Sequence, residues 1–212
     1  MLKFENNLYK KGIKYIAGVD EVGRGALAGP MAIAAVVLNR QDIYRNNDVA
    51  YNLYHLIDDS KKLTAKKREE LEKFIKKVCI SFSIEVISNE KIDNWGISKC
   101  TQVGFFGAIK KLSMPPEHIL TDAFKIKVIS DALQTNIKGG DSLSISIAAA
   151  SIVAKVFRDR LMETLHETNE VYQKYRFNQN KAYGTKAHLE AIRKYGICTL
   201  HRKSFEPIKS MV

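Results

Sequence analysis

Residues 15–30, YIAGVDEVGRGALAGP, constrain the fold more than any other stretch. Residues 15–19 are apolar or small and long enough for a buried strand, and Asp20 and Glu21 stand where that strand should end. Two adjacent carboxylates at the end of an apolar run are costly to bury unless something neutralises them. Gly23, Arg24 and Gly25 follow at once. Glycines on either side of a cation let backbone amides approach an anion closely. The stretch therefore offers a cation site beside an anion site, which a metal-dependent enzyme acting on phosphates requires. A DE pair or a GxG triplet alone more often marks a turn; their combination after a buried strand favours function.

The next apolar run, residues 31–38 (MAIAAVVL), is also of strand length. The link between the two runs is too short for a helical crossover, which predicts an antiparallel pair. Residues 1–14 read as a polar, lysine-rich lead-in, and residues 39–57 as polar sequence with scattered tyrosines. Thr64 is placed to cap a helix whose apolar face carries Leu71, Phe74, Ile75 and Val78. Residues 78–86 then alternate with period two, a third strand. A helix is expected over residues 98–112, stopped by Pro115 and Pro116. Residues 118–122 read as a short strand ending in Asp122. Gly139 and Gly140 turn the chain just before Asp141, and Ser144 opens a long helix with Ile145, Ala149, Ile152 and Val156 on one stripe. From about residue 169 the chain is rich in Lys, Arg, His and Tyr and suggests a small helical appendage. The order β-β-α-β-α-β followed by helices fits a mixed α/β sheet.

Among 212 residues the formal charge is +11, with 45% hydrophobic residues. That balance permits a sizeable core and favours an acidic partner, nucleic acid above all. Cys79, Cys100 and Cys198 are scattered, with no CxxC spacing, which argues against a disulfide framework or a zinc ribbon. The five histidines form no HExxH, and no GxxxxGK[ST] occurs, so zinc chemistry and NTP hydrolysis are disfavoured. The start lacks the apolar core of a signal peptide, and no apolar run reaches membrane-span length, so a cytoplasmic protein is expected. Taken alone, Asp122 or Asp141 reads better as a turn or helix cap. Arg24, Lys61 and Lys62 are candidate phosphate contacts, although any one lysine is more commonly a solvated charge. Ser60 is either a turn cap or a phosphate contact.

The opening motif also resembles that of the ribonuclease HII family, DE(A/V)GRG followed by a small-residue GP segment. The resemblance recurs in order at DSKKL (59–63), TDA (121–123), Gly140 and Asp141, AAASIVAKVFRD (148–159), YGTKAH (183–188) and HRKSF (201–205). It implies a ribonuclease H-like mixed five-stranded sheet flanked by helices, with a catalytic unit over residues 1–168 and a helical substrate-binding extension over 169–212. It aligns Asp20, Glu21, Asp122 and Asp141 with the family's metal-binding acids. Such acids take Mg²⁺ or Mn²⁺ through hard oxygen ligands, two ions standing roughly 4 Å apart. It makes Gly23, Arg24, Gly25, Lys61 and Lys62 substrate contacts. It casts Tyr183 as the reader of the sugar beside the ribonucleotide, where a ring can stack on deoxyribose and a hydroxyl can bond a 2′-OH. Ala182 replaces the glycine usual before that tyrosine, and residues 39–57 exceed the family's usual connection.

The implied activity is cleavage of the RNA strand of RNA–DNA hybrids and of single ribonucleotides in duplex DNA. The cut falls 5′ to the ribonucleotide and leaves 3′-hydroxyl and 5′-phosphate ends. A monomer is expected. Recruitment by a sliding clamp stays open, because the tail KSFEPIKSMV shows no obvious clamp motif. The sister family, ribonuclease HIII, has another opening motif and an extra N-terminal domain, whereas 14 residues precede the first strand here. A non-catalytic nucleic-acid-binding protein would explain the charge but not four motif-placed acids, which repel phosphate unless metal is bound.

Overall fold

The first strand, β1 (Ile16–Val22), runs through both acids before it ends, so Asp20 and Glu21 are paired into the sheet rather than hanging beyond it. β2 (Met31–Val37) returns antiparallel to it, with every residue buried. β3 (Ser81–Ile87) adds antiparallel to β2 at one edge, while β4 (His118–Asp122) and β5 (Gln134–Ile137) extend the other side in parallel. The order is β3-β2-β1-β4-β5, a mixed five-stranded sheet. The computed structural model describes residues 1–44 and 49–211.

Strand order reverses at β1, whose chain continues to β2 on one side while β4 pairs on the other. Such a switch point opens a crevice at the strand ends. β1 and β4 are parallel, with Val19 level with Thr121, so Asp20, Glu21 and Asp122 emerge at the same end. β5 is absent from the residue-by-residue reading above, because QTNI offers no apolar alternation. Only the family resemblance supplied the fifth strand.

Helices cover both faces. The Thr64 side chain accepts from Lys67 N–H and starts α4 (Ala65–Val78), as its sequence predicts. α5 (Asn89–Trp95) and α6 (Ile97–Lys110) lie on the opposite face of the sheet from α4, packing Phe105 and Ala108 against Ile33 and Ala35. The long α7 (Ile145–Thr168) crosses β1 and β2, with its Ala148–Ala150 run in the core beside Ala34, Val36, Leu71 and Ile75. α8 (Glu170–Gln173), α9 (Phe177–Asn180) and α10 (Lys186–Tyr195) then form the expected C-terminal helical portion, built on its own cluster around Tyr175, Phe177 and Ile192. No helix among the described residues is long and apolar enough to cross a membrane.

Two stretches hold more than their sequence shows, and one boundary needs correction. The lead-in is partly a helix, α1 (Lys3–Lys10), and it has a structural task. Its Glu5 is fully buried at the start of α7 and accepts from Ser144 Oγ (2.5 Å) and Ser146 N–H (3.0 Å). A carboxylate there satisfies orphan donors and the helix dipole together. The segment 39–57 holds two short helices, α2 (Arg40–Ile43) and α3 (Val49–His55), and its residues 45–48 lie outside the described residues. Finally, Val78 ends α4 rather than opening β3, which starts at Ser81. Ser81 and Ser83 are buried, and Ser83 Oγ donates to Ala108 C=O (2.5 Å), whereas Phe82 and Val86 are more than a third exposed. The facing surface of α6 is small: a Cβ on Gly104 would overlap Ile33, and one on Gly107 would crowd Glu85.

The approach of α7 to β1 rests on Gly18. A Cβ there would overlap the backbone of Ser146 and Ile147, which no rotamer change can relieve. Gly18→Ala is therefore expected to destabilise by about 3 kcal/mol or more, the upper end for overpacking. Urea unfolding checks this, and a midpoint within error of wild type would contradict it.

Candidate active site

Four elements meet in a pocket of about 470 Å³ at the β1 and β4 ends, lined among others by Asp20, Glu21, Arg24, Lys61, Asp122 and Tyr183. Asp20 is almost fully buried, and Asp122 is held by Gly140 N–H on its Oδ1 at 2.9 Å. Asp141, also buried, follows in the turn after β5, and its Oδ2 accepts from Lys61 Nζ at 2.8 Å. The pocket thus gathers Asp20, Glu21 and Asp122, and Asp141 is tied to it through Lys61. Of the two lysines, it brings only Lys61 to them. Lys62 instead forms an exposed ion pair with Asp58, one helical turn's spacing away in sequence (3.2 Å). Ser60 is buried in the wall of the same pocket, and its Oγ pairs with Ser151 Oγ of α7 at 3.0 Å.

The electrostatics are those of an uncompensated acid cluster. Desolvation pushes the Asp20 carboxyl well above the usual carboxylate range, against a hydrogen bond from Ser151, and the charges of Asp122 and Asp141 add to the rise. Glu21 is raised first by burial and next by Asp20, with Arg24 opposing. Asp122 is raised by burial and by Asp141, against the Gly140 amide and Lys61. Glu21 Oε2 is buried with no hydrogen-bond partner. An all-oxygen donor set with an orphaned carboxylate oxygen and excess negative charge suits a hard divalent cation. Among the described residues, no three His, Cys, Asp or Glu side chains already stand closed around an ion-sized space. The chemistry of the donor set fits such a cation.

The loop after β1 is the anion side. Gly23 has φ +87°, and a Cβ on it would overlap the Arg158 guanidinium. Arg24 lays its guanidinium over the Phe124 ring, 4.6 Å from the centroid, and its Nε is buried without a partner. Gly25 has nothing within 4 Å of where a Cβ would lie.

Two buried arginines, not singled out in the sequence reading, hold this loop. Arg158 of α7 donates to Pro30 C=O (2.9 Å), Lys181 C=O (2.9 Å) and Ala28 C=O (3.3 Å). Arg202 donates to Gly23 C=O (2.7 Å), Arg24 C=O (2.8 Å) and Gly29 C=O (3.0 Å). Desolvation pushes Arg202 down to about 9, with Arg158 adding to the fall. The available signal for Arg158 was an arginine at helical spacing from Ala154 and Met162, on a second apolar face of the same helix. Lys155, also unforeseen, lines the pocket and pairs with Asp159 at 2.8 Å.

Tyr183 stands across the pocket, with Arg158 5.4 Å and Lys155 5.9 Å from its ring centroid. Its carbonyl accepts from Thr185 N–H (2.8 Å) and from His188 Nδ1 (3.0 Å). Cys198 N–H donates to His201 Nδ1, so His201 offers its Nε2–H to His188 Nε2 at 3.1 Å. The two histidines are therefore neutral struts, and burial holds both below their ordinary pKa, His201 at about 4. Ala182, where the family usually has glycine, sits at φ +65°, in the left-handed region that explains the glycine.

The sequence profile of ribonuclease HII matches residues 17–208. Ribonuclease HII of Bacillus cereus is 46% identical over the whole chain, covering 77% of that protein, and that of Acholeplasma laidlawii is 45% identical, covering 96%. Among solved structures, ribonuclease H2 of Pyrococcus horikoshii superposes with a TM-score of 0.74 at 23% identity, over 93% of this chain and 96% of that one. Ribonuclease HII of Archaeoglobus fulgidus, solved with PCNA, gives 0.71 at 26%, over 91% and 95%. A Bst ribonuclease HIII solved with Mn²⁺ gives 0.64 at 21%, over 92% and 68%, which speaks for the fold alone.

Gly25 provides a test of the anion side. Its open surroundings make Gly25→Ala harmless to stability, and the lost freedom of the unfolded chain adds up to about 1 kcal/mol. If a phosphate approaches this backbone, the added methyl blocks it, and KM for an RNA–DNA hybrid rises about tenfold. Steady-state kinetics with a parallel melt check this; an unchanged KM would remove Gly25 from the contact.

The gathered acids, the anion loop and the full-length match lead to one conclusion: the chain belongs to the ribonuclease HII family, metal-dependent endoribonucleases that cleave the RNA strand of RNA–DNA hybrids.

Proposed function

We propose that this chain cuts single ribonucleotides embedded in duplex DNA as well as hybrids, on the 5′ side, through Asp20, Glu21, Asp122 and Asp141. The observation that carries the reading is the placement of Asp20, Glu21 and Asp122 in one pocket with Arg24 and Tyr183. Two divalent ions, Mg²⁺ or Mn²⁺, supply there the activation of a water and the stabilisation of the leaving 3′ oxygen. The four acids hold those ions. Arg24 and the amides around Gly23 and Gly25 bind the phosphate flanking the cut. Lys61, released from Asp141, turns its ammonium toward the same phosphate charge. Lys62, exposed beside it, acts at most on the outlying backbone of the duplex.

Tyr183 packs on the deoxyribose next to the ribonucleotide. The catalytic part is residues 1–168, and residues 169–212 form the substrate-binding extension that carries this tyrosine. The chain works as a monomer in the cytoplasm. The archaeal relative solved with PCNA makes a sliding clamp a partner class here too.

The test is a DNA duplex with one ribonucleotide, its products mapped at nucleotide resolution. A single cut on the 5′ side is expected. Asp20→Asn should abolish it while leaving the fold intact, since removing one buried charge relieves repulsion. Tyr183→Ala should lose more on this substrate than on a long hybrid, where a neighbouring 2′-OH already crowds the ring. Near wild-type cutting by Asp20→Asn, or equal Tyr183→Ala losses on both substrates, would contradict the corresponding role.

A further inference from the structure

Beside the active site lies a second groove, of about 660 Å³, between α6 and the loop after β4. Trp95, Val103, Phe106 and Phe124 line it together with Lys99 and Lys127, and no acidic residue does. Trp95, Val103 and Phe106 are more than a third exposed, an unusual concentration of apolar surface for a strand-cutting enzyme's free face. Lysines attend the rings: Lys91 and Lys99 lie 5.5 and 5.6 Å from the Trp95 centroid, and Lys110 lies 5.5 Å from that of Phe106.

The groove is built rather than incidental. The Gln102 side chain donates to Lys125 C=O (2.6 Å) and accepts from Lys127 N–H (2.8 Å), fixing the loop that forms one wall. Phe124 packs edge-on against Phe105, with centroids 6.4 Å apart, and its ring carries Arg24. That guanidinium also lines the catalytic pocket, so the two cavities share one wall.

Exposed rings, flexible lysines around them and no carboxylate in the lining are the chemistry of a platform for unpaired bases. An apolar peptide would be served equally by the rings, but it gains nothing from a wholly basic rim continuous with a phosphate site. We infer that this groove binds single-stranded nucleic acid, stacking bases on Trp95 and Phe106 and pairing phosphates with Lys99 and Lys127. The strand is the unpaired continuation of a substrate strand that passes Arg24, and in that path the inference rests on the nuclease reading above.

Trp95 is the only tryptophan in the chain, so its emission reports directly on the groove. Titration of the full-length protein with a short oligodeoxythymidylate in metal-free buffer should quench that emission, with affinity falling steeply as salt rises. Lys99→Glu with Lys127→Glu, both exposed positions, should weaken the quenching titration about tenfold. No quenching, or quenching equally strong in the double variant, would overturn the inference, and the first result would favour a peptide partner. The titration involves no cleavage. Quenching without hybrid cleavage would sink the nuclease reading and leave the groove standing, whereas cleavage without quenching would do the reverse.

Discussion

The structure depends on the burial of carboxylates at the ends of β1 and β4. Asp20 and Glu21 lie within the pairing of β1 with β2, so the backbone that carries them is fixed by the sheet. Desolvation and mutual repulsion raise both, and Asp122 with them. This arrangement costs free energy in the folded chain. Only a cation can turn that cost into affinity, because ligands must be deprotonated to bind it and binding then releases the protons. Lys61 offsets part of the charge through Asp141, but its ammonium is largely exposed and the pair is correspondingly weak.

Substrate recognition depends on a different constraint, the fixing of two loops relative to each other. Arg158 joins them in one side chain: it donates to Ala28 and Pro30 on the loop after β1 and to Lys181 beside Tyr183. Arg202 clamps the carbonyls on the other side of the same loop. Both arginines act through backbone carbonyls rather than through acids. Carboxylate partners for them would have added negative charge beside a site that must hold phosphate. Gly23 and Gly25 line the pocket beside these clamped carbonyls, and the His188–His201 pair fixes the far end of the same assembly.

Much of this was legible in the sequence, for physical reasons particular to each element. The strand ending in Asp20 and Glu21 showed itself because a buried apolar run cannot tolerate two acids without purpose. Thr64 and Ser144 showed as caps because their hydroxyls precede apolar periodicity, and both accept the expected amide. β5 did not show, since a short parallel strand of QTNI takes its place from pairing with β4 and not from its own pattern. The alternation of β3 does not say which face is buried: the serines turn toward α6, where Ser83 Oγ donates to Ala108 C=O, and Phe82 stays exposed. Convergence of Asp122 and Asp141 on Asp20 is a property of strand order, which local sequence does not encode. The arginine clamps were hidden for a similar reason: their partners are carbonyls far away in the chain, which carry no residue signature.

The most direct measurement is thermal unfolding of the wild-type protein and Asp20→Asn, with and without Mg²⁺ or Mn²⁺, at constant ionic strength. A cation that binds only the folded acid cluster stabilises it by mass action, about 2.7 kcal/mol at a hundredfold excess over Kd. The account predicts a clear rise in the wild-type Tm with either metal. It also predicts a metal-free Asp20→Asn protein at least as stable as wild type, with little or no rise on adding metal. A wild-type Tm indifferent to both metals, or an equal rise in the variant, would contradict the claim that these buried carboxylates form a cation site.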